Sequence, residues 1–193
     1  FYAYHAVGDA DVTFTKCTFD NNTASRTGGA IATTLFSVNY ENLGNVYKNW
    51  AITDCDFTNN KAELSAGALY LPWTTGLVIN NIPFDNNTAG SYGAMYWSGD
   101  SLDIHDVNFT NNNAKDGDCG ALFIGIGTGT AGAQSVIDTV IFENNTAYSN
   151  GGALSGTASN VDITNDKFKN NSAWYGGAIY WNGGANVNID KNE

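Results

Sequence analysis

One string recurs along this chain at a spacing that most globular folds could not use. F-x-N-N-x-A occurs six times, beginning at Phe19, Phe57, Phe84, Phe109, Phe142 and Phe168. After each copy comes a second string, Gly-Ala plus an apolar residue. Its copies are Gly29-Ala30-Ile31, Gly67-Ala68-Leu69, Gly93-Ala94-Met95, Gly120-Ala121-Leu122, Gly152-Ala153-Leu154 and Gly177-Ala178-Ile179. A third element precedes each Phe, with apolar residues seven and five positions before it: Val12/Phe14, Trp50/Ile52, Leu77/Ile79, Leu102/Ile104 and Val161/Ile163, repeated at Val187/Ile189 and weak at Ser135/Ile137. Successive Phe residues are 38, 27, 25, 33 and 26 apart. The unit is therefore about 26 residues, with insertions near 33–49 and 125–134. A fixed period of that size is the mark of a stacked repeat.

The unit reads as short strands joined by bends. Apolar residues two apart, with polar ones between, mark a half-buried strand. The three-residue step from the fifth to the second position before Phe breaks that alternation and predicts a bend. Asn-Asn then turns the chain, because Asn tolerates left-handed geometry and bonds neighbouring backbone. Gly-Ala lets backbone pass a crowded corner before another short strand. Three strands per unit, with no 3.6-residue periodicity, describe an all-β parallel β-helix of about seven coils spanning residues 1–193. Identical residues in successive coils would lie about 4.8 Å apart. The Phe residues then form an internal stack, and the second Asn of each motif (Asn22, Asn60, Asn87, Asn112, Asn145, Asn171) a ladder of amides.

Composition follows from stacking. The chain holds 27 Asn and 22 Gly, but charged residues make up only 14%, against roughly 25% in an ordinary domain. Like charges repeated at the inter-coil distance would repel. The net charge of −11 with a single Arg, Arg26, leaves no basic footprint for nucleic acid or anionic lipid. No apolar run approaches the roughly 20 residues of a membrane span, so no membrane insertion by this segment is expected. Neither a cofactor nor a metal site is expected, since the three Cys (17, 55, 119) lack metal-type spacing. Cys17 and Cys55 both precede their Phe by two residues. Parallel stacking makes their Cβ separation long for a disulfide, so buried thiols are expected.

The alternation of F-x-x-N with G-G-A-[I/L/V] resembles the repeat of the chlamydial polymorphic outer membrane proteins. It is similar as well to adhesin-like surface proteins of methanogenic archaea. The residues that carry the likeness are Phe19…Asn22, Phe57…Asn60, Phe84…Asn87, Phe109…Asn112, Phe142…Asn145 and Phe168…Asn171, each with its Gly-Ala partner. The resemblance implies a right-handed helix on the cell surface, extracellular and serving attachment. Ala66, Tyr92 and Cys119 depart from the pattern, replacing the first Gly of G-G-A in three coils.

Several residues are candidates for function. The insertion at 33–49 holds Phe36, Tyr40 and Tyr47, and recognition by a solenoid usually sits on loops that leave its wall. Its aromatics either bind a partner or fold back over the wall. The 125–134 insertion is a glycine-rich loop without the Lys and helix a phosphate site needs. If Leu69, Met95 and Leu122 point inward, Tyr70, Tyr96 and Phe123 point out, with Tyr180 repeating the position further on. That strip either stacks on sugars or stabilises the ladder. The outward Asp103, His105, Asp138 and Asp162 could serve a polysaccharide lyase or hydrolase, with Asp138 above His105. A lyase needs cations to stabilise an enolate, and the single Arg supplies that poorly, so solvated surface Asp is the ordinary reading. Sequons at Asn21, Asn86, Asn108, Asn144 and Asn170 are possible glycosylation sites of a secreted protein.

The N-terminus aligns inside a Gly-Ala strand, and Val187/Ile189 predicts a Phe one residue past Glu193. A window from a longer array is therefore expected. The functional expectation is an adhesin-like segment contacting a host or neighbouring cell surface, glycans included. The alternatives are a structural spacer, stalk or filament-forming surface protein and, third, a polysaccharide-active enzyme.

Overall fold

The computed structural model describes residues 1–5, 11–35, 47–125 and 133–193. Phe36 and Tyr40, and residues 126–132 of the second insertion, lie outside the described residues. Twenty-five strands and no helix occur among the described residues, and every strand pair is parallel.

The chain winds as a parallel β-helix with three faces. One sheet gathers the strands that follow Gly-Ala, in the order Tyr2–His5, Ile31–Leu35, Leu69–Pro72, Met95–Ser98, Leu122–Gly125, Leu154–Gly156 and Ile179–Trp181. A second gathers the pre-Phe strands Thr13–Thr15, Ala51–Thr53, Leu77–Asp85, Leu102–Thr110, Ser135–Asp138, Val161–Thr164 and Val187–Asp190. The Phe strands join it, and in two coils the pre-Phe and Phe segments merge into nine-residue strands, Leu77–Asp85 and Leu102–Thr110. The third sheet is made of two-residue strands at N-N-x-A, from Thr23–Ala24 to Thr146–Ala147. Register is strict: Phe19 faces Phe57, which faces Phe84, then Phe109, Phe142 and Phe168.

The bends share one device. The third residue before each Phe is left-handed (Lys16, Asp54, Asn81, Asp106, Thr139, Asn165, with φ between 52° and 58°), and so is the first Asn of each motif. The residue before Gly-Ala is left-handed as well, whether it is Gly28, Ala66, Tyr92, Cys119, Gly151 or Gly176. A fourth left-handed position stands eight residues before Phe, at Asn49, Gly76, Ser101 and Asn160. On the Phe side the chain thus turns every five residues. Of the 21 non-glycine residues with positive φ among the described residues, eleven are Asn, the side chain best suited to that region. Ala66, Tyr92 and Cys119 hold it without that help, at roughly 1 kcal/mol or more each.

The interior is built in columns. The Phe rings stack at 4.7–5.2 Å with planes within 11° of parallel. Ile31, Leu69, Met95, Leu122 and Leu154 fill one wall, and Ile52, Ile79, Ile104, Ile137 and Ile163 another, all fully buried. Ser135 explains the weak copy of the pre-Phe pair. Its hydroxyl accepts from the Leu102 amide at 3.1 Å, so a polar side chain at an apolar position satisfies its own burial.

Asn60, Asn87, Asn112 and Asn145 are fully buried. Each donates from Nδ2 to the Oδ1 of the next coil's Asn, at 3.1 Å (Asn60 to Asn87), 3.1 Å (Asn87 to Asn112), 3.0 Å (Asn112 to Asn145) and 3.0 Å (Asn145 to Asn171). The second hydrogen goes to a Phe carbonyl of the preceding coil, as from Asn112 to Phe84 at 2.9 Å. Each Oδ1 also accepts the backbone amide of the Asn before it in the column, as Asn112 does from Asn87 at 3.0 Å.

Candidate functional site

A wall whose polar groups are already paired offers little to a partner, so the outward side chains decide what the surface can do. Tyr70, Tyr96 and Phe123 stand on three adjacent coils of the Gly-Ala sheet, pointing out while Leu69, Met95 and Leu122 point in. Their rings stack on one another, Tyr70 on Tyr96 at 4.9 Å and Tyr96 on Phe123 at 5.2 Å with planes 6° apart. Stacking along the axis uses up the ring faces and leaves edges toward solvent. Tyr92, at its left-handed corner, leans over both, 5.0 Å from Tyr96 and 4.7 Å from Phe123. Burial pushes the Tyr92 hydroxyl up to about 12 and the Tyr70 hydroxyl up as well, with Tyr96 adding to both. This arrangement is a braced aromatic column rather than an open platform. In the next coil Ser155 takes the position, and Tyr180 follows it.

The acidic group lies on the Phe sheet. His105 faces Asp138 in register, with Nδ1 3.6 Å from Asp138 Oδ2 and Nε2 2.5 Å from Asp103 Oδ1. Asp138 is saturated: Asn165 Nδ2 donates at 2.6 Å, Thr164 Oγ1 at 2.8 Å and Thr139 Oγ1 at 2.8 Å. Those bonds, Asn165 first, hold its carboxyl below the usual range, and His105 adds a little. A carboxylate so held is a poor proton carrier at neutral pH. Asp162 accepts from Gln134. Among the described residues no group of three or more His, Cys, Asp or Glu is placed to hold a metal ion.

The same staple recurs elsewhere on the surface. Asp20 accepts from Thr58 and Asn59, each at 2.8 Å, and Asp85 from Thr110 at 2.7 Å and Asn111 at 2.8 Å. Carboxylates here are solvated by hydroxyls and amides of the following coil, which is how an acidic chain with few cations stays compact.

Of the sequon residues, Asn21, Asn86, Asn144 and Asn170 are the left-handed corner Asn, and Asn108 sits on the Leu102–Thr110 strand. All five are exposed. Asn86 donates to Asn59 at 2.8 Å. A shallow polar groove of about 490 Å³ runs along this corner past Asp20, Asn21, Asn59, Lys61, Asn86 and Lys115. Cys17, Cys55 and Cys119 are free thiols, with Cys17 N donating to Cys55 Sγ at 3.4 Å. Tyr47 lies in the short strand Tyr47–Lys48, paired with Thr74–Thr75.

A further exposed set is one that sequence pattern does not single out. Tyr148, Trp174 and Tyr175 occupy the corner between N-N-x-A and Gly-Ala in two adjacent coils, 66%, 75% and 61% exposed. The signal lies in the connectors Ala-Tyr-Ser and Ala-Trp-Tyr, but only the three-dimensional corner shows that these positions face water.

Three segments that build these columns and corners, residues 16–34, 139–157 and 167–180, match the Chlamydia polymorphic membrane protein repeat. Over 142 residues the chain is 34% identical to the probable autotransporter YfaL of Escherichia coli (strain K12), a match that covers 61% of this chain and 11% of that protein. The chain thus spans about a tenth of the length of the curated relative it matches. The matched segments 16–34, 139–157 and 167–180 each run from a Phe motif into the Gly-Ala strand of this chain or close to it.

Proposed function

We propose that this chain is an attachment segment of a cell-surface protein, a rigid wall that presents recognition side chains to a host or neighbouring cell, glycans included. The observation that carries the reading is the contrast between the wall and one corner. Register, hydrogen bonds and ring stacks repeat from coil to coil, while the two residues that follow N-N-x-A differ in every coil. The likeness to a membrane-protein repeat and to a probable autotransporter supports an outer-membrane or cell-surface location. Catalysis plays no part in this reading, because Asp138 is spent on structure. The exposed sequon residues Asn21, Asn86, Asn108, Asn144 and Asn170 are acceptors for glycosylation of the secreted protein, which intact-mass analysis of native material tests.

The attachment experiment uses beads coated with the purified chain, with and without residues 36–46. Binding of wild-type beads to cells is expected. Failure of wild-type beads to bind would favour a spacer, and binding unchanged by the deletion would remove Phe36 and Tyr40 from the recognition surface.

A further inference from the structure

We infer that the aromatic corner formed by Tyr148, Trp174 and Tyr175 is a binding platform for a neutral glycan, which gives the attachment surface proposed above a ligand class and rests on that reading for its role.

The fold itself asks for nothing aromatic here. The two residues after the Ala of each motif are Ser25/Arg26, Glu63/Leu64, Gly90/Ser91 and Lys115/Asp116 in the first four coils. Most of these are exposed, although coils lie on both sides of the second to fourth pairs. Solvated side chains suffice for the corner, yet the next two coils carry Tyr148 and then Trp174 with Tyr175. The other Trp residues are buried or half-buried. Aromatic side chains bring roughly 150–250 Å² each, so on the order of 400 Å² of ring surface meets water. The largest apolar patch on a typical monomer is of that order and is often functional.

The rings are also presented well. Tyr148 N donates to Ala114 O at 3.0 Å, Tyr175 N to Ser149 O at 2.9 Å, and Gly151 N to Tyr175 O at 2.9 Å. Backbone on both coils is therefore fixed to its neighbours. Unlike Tyr70, Tyr96 and Phe123, these three rings make no ring contact among the described residues, so no aromatic stack uses up their faces.

Charge and spacing select the ligand. Open aromatic faces suit the C–H face of a pyranose, whose axial hydrogens meet the negative face of the ring while its hydroxyls point outward. Thr146 and Ser172, paired across the two coils and exposed, supply hydroxyls at the rim, with the exposed amide of Asn170 nearby in sequence. Backbones of adjacent coils lie about 4.8 Å apart, close to the length of one sugar unit, while the rings themselves are not stacked on one another. The cations near the patch are engaged or offset. Lys169 is held by Glu143 at 2.6 Å, and Lys115 is followed by Asp116. With the chain at −11, anionic glycans and lipids are repelled.

The test titrates the whole 193-residue chain with cellohexaose, chitohexaose, laminarihexaose and mannan, with polygalacturonate as the anionic probe, following tryptophan fluorescence and heat. Saturable binding of at least one neutral probe is expected. Trp174→Ala should weaken it tenfold or more and Tyr148→Ala about threefold to tenfold, a loss of roughly 0.7–1.4 kcal/mol. Trp174→Phe should retain part of the affinity, and Leu64→Ala on the second coil all of it. Melting temperatures should not move, because these side chains are exposed, so loss of binding is not loss of fold. No binding of any neutral probe, equal affinity in Trp174→Ala, or preference for polygalacturonate overturns the inference. So does sedimentation showing a dimer that Trp174→Ala dissolves, which would make the patch a self-association surface. Cell attachment that persists in Trp174→Ala sinks the platform and leaves the attachment reading intact. Oligosaccharide binding by a chain that fails to attach to cells does the reverse.

Discussion

A methyl group added at Gly120 tests whether the coils are in backbone contact. The second Gly of each G-G-A segment has an ordinary φ, so conformational freedom does not explain it. Crowding does. A Cβ at Gly120 would sit 2.0 Å from the Gly152 carbonyl oxygen and 2.7 Å from Thr146 N, both backbone atoms, and Gly93 and Gly152 meet the same obstacle at 2.0 and 2.1 Å. Reaching even a tight contact requires the coils to part by about an ångström. That stretches the bonds from Cys119 N to Asn150 O (2.7 Å), Gly120 N to Gly151 O (3.0 Å) and Ala121 N to Ala153 O (3.1 Å). Overpacking costs about 1–3 kcal/mol, and two or three weakened bonds add about 1 kcal/mol each. Reduced freedom of the unfolded chain returns only about 0.4–1 kcal/mol. Gly120→Ala should therefore lose about 3–5 kcal/mol. Gly117 is the control, because a Cβ there meets the Ser91 side chain, Oγ at 2.0 Å and Cβ at 3.1 Å, rather than backbone; the hydroxyl can rotate away, and Gly117→Ala should cost only about 1 kcal/mol. Urea unfolding followed by far-UV circular dichroism measures both. A Gly120→Ala protein as stable as wild type, or two variants weakened equally, would refute the claim that inter-coil carbonyl contact dictates this glycine.

Three further outcomes are expected. Asn112→Ala removes bonds with Asn87, Asn145 and Phe84 and should cost about 3–5 kcal/mol in urea titrations, whereas Asn111→Gly, which keeps the left-handed turn, should cost less than about 1 kcal/mol. Asp166 is buried, and burial pushes its carboxyl up to about 7, against the amide of Val140 donating at 2.7 Å and with Asp138 adding to the rise. The folded chain thus holds a proton that the unfolded chain releases near pH 4, so stability falls as pH rises from about 4 to about 7, by up to ~4 kcal/mol. Asp166→Asn should flatten that slope and melt higher at pH 8, and thermal melts at stepped pH check it. Finally, burial raises the Cys119 and Cys55 thiols, so iodoacetamide on the native protein should modify Cys17 first and reach Cys119 only after unfolding, read by peptide mass spectrometry.

The columns are legible in the sequence itself, because period two and period 26 are both written in side-chain type. Inward Ile and Phe, the coil count and the bend before Phe follow from that. The turn every five residues is only partly legible. Lys16, Thr139, Trp73 and Tyr92 hold left-handed backbone that their side chains disfavour, so residue type alone does not reveal positions that neighbouring coils impose. Ser135 reads as a defect in the pattern because its partner, the Leu102 amide, belongs to another coil 33 residues away. The rings of Tyr70, Tyr96 and Phe123 are legible as outward, but their face-to-face stacking, which removes them as an open platform, is a matter of rotamers. Phe36 and Tyr40 fall outside the described residues.

Asparagine plays two parts in this chain, and together they limit where recognition can live. The second Asn of the four inner motifs, Asn60, Asn87, Asn112 and Asn145, fills the interior column and satisfies backbone that would otherwise be buried unpaired. The first takes the left-handed turn and, on the outside, hands its amide to a neighbouring carboxylate or amide, as Asn59 does to Asp20 and Asn86 to Asn59. Thr hydroxyls do the same for Asp85 and Asp138. Where a wall side chain is bonded to the coil above or below in this way, a partner approaching it would have to break one bond for each it makes. The residues after N-N-x-A escape this constraint: the backbone there is tied down, but the side chains are not. A mutation on the wall must satisfy two neighbouring coils, whereas one at the corner must satisfy only water. A solenoid built this way can change what it binds without changing how it folds, and the change from Lys115 to Tyr148 to Trp174 along one corner is what such freedom looks like within a single chain.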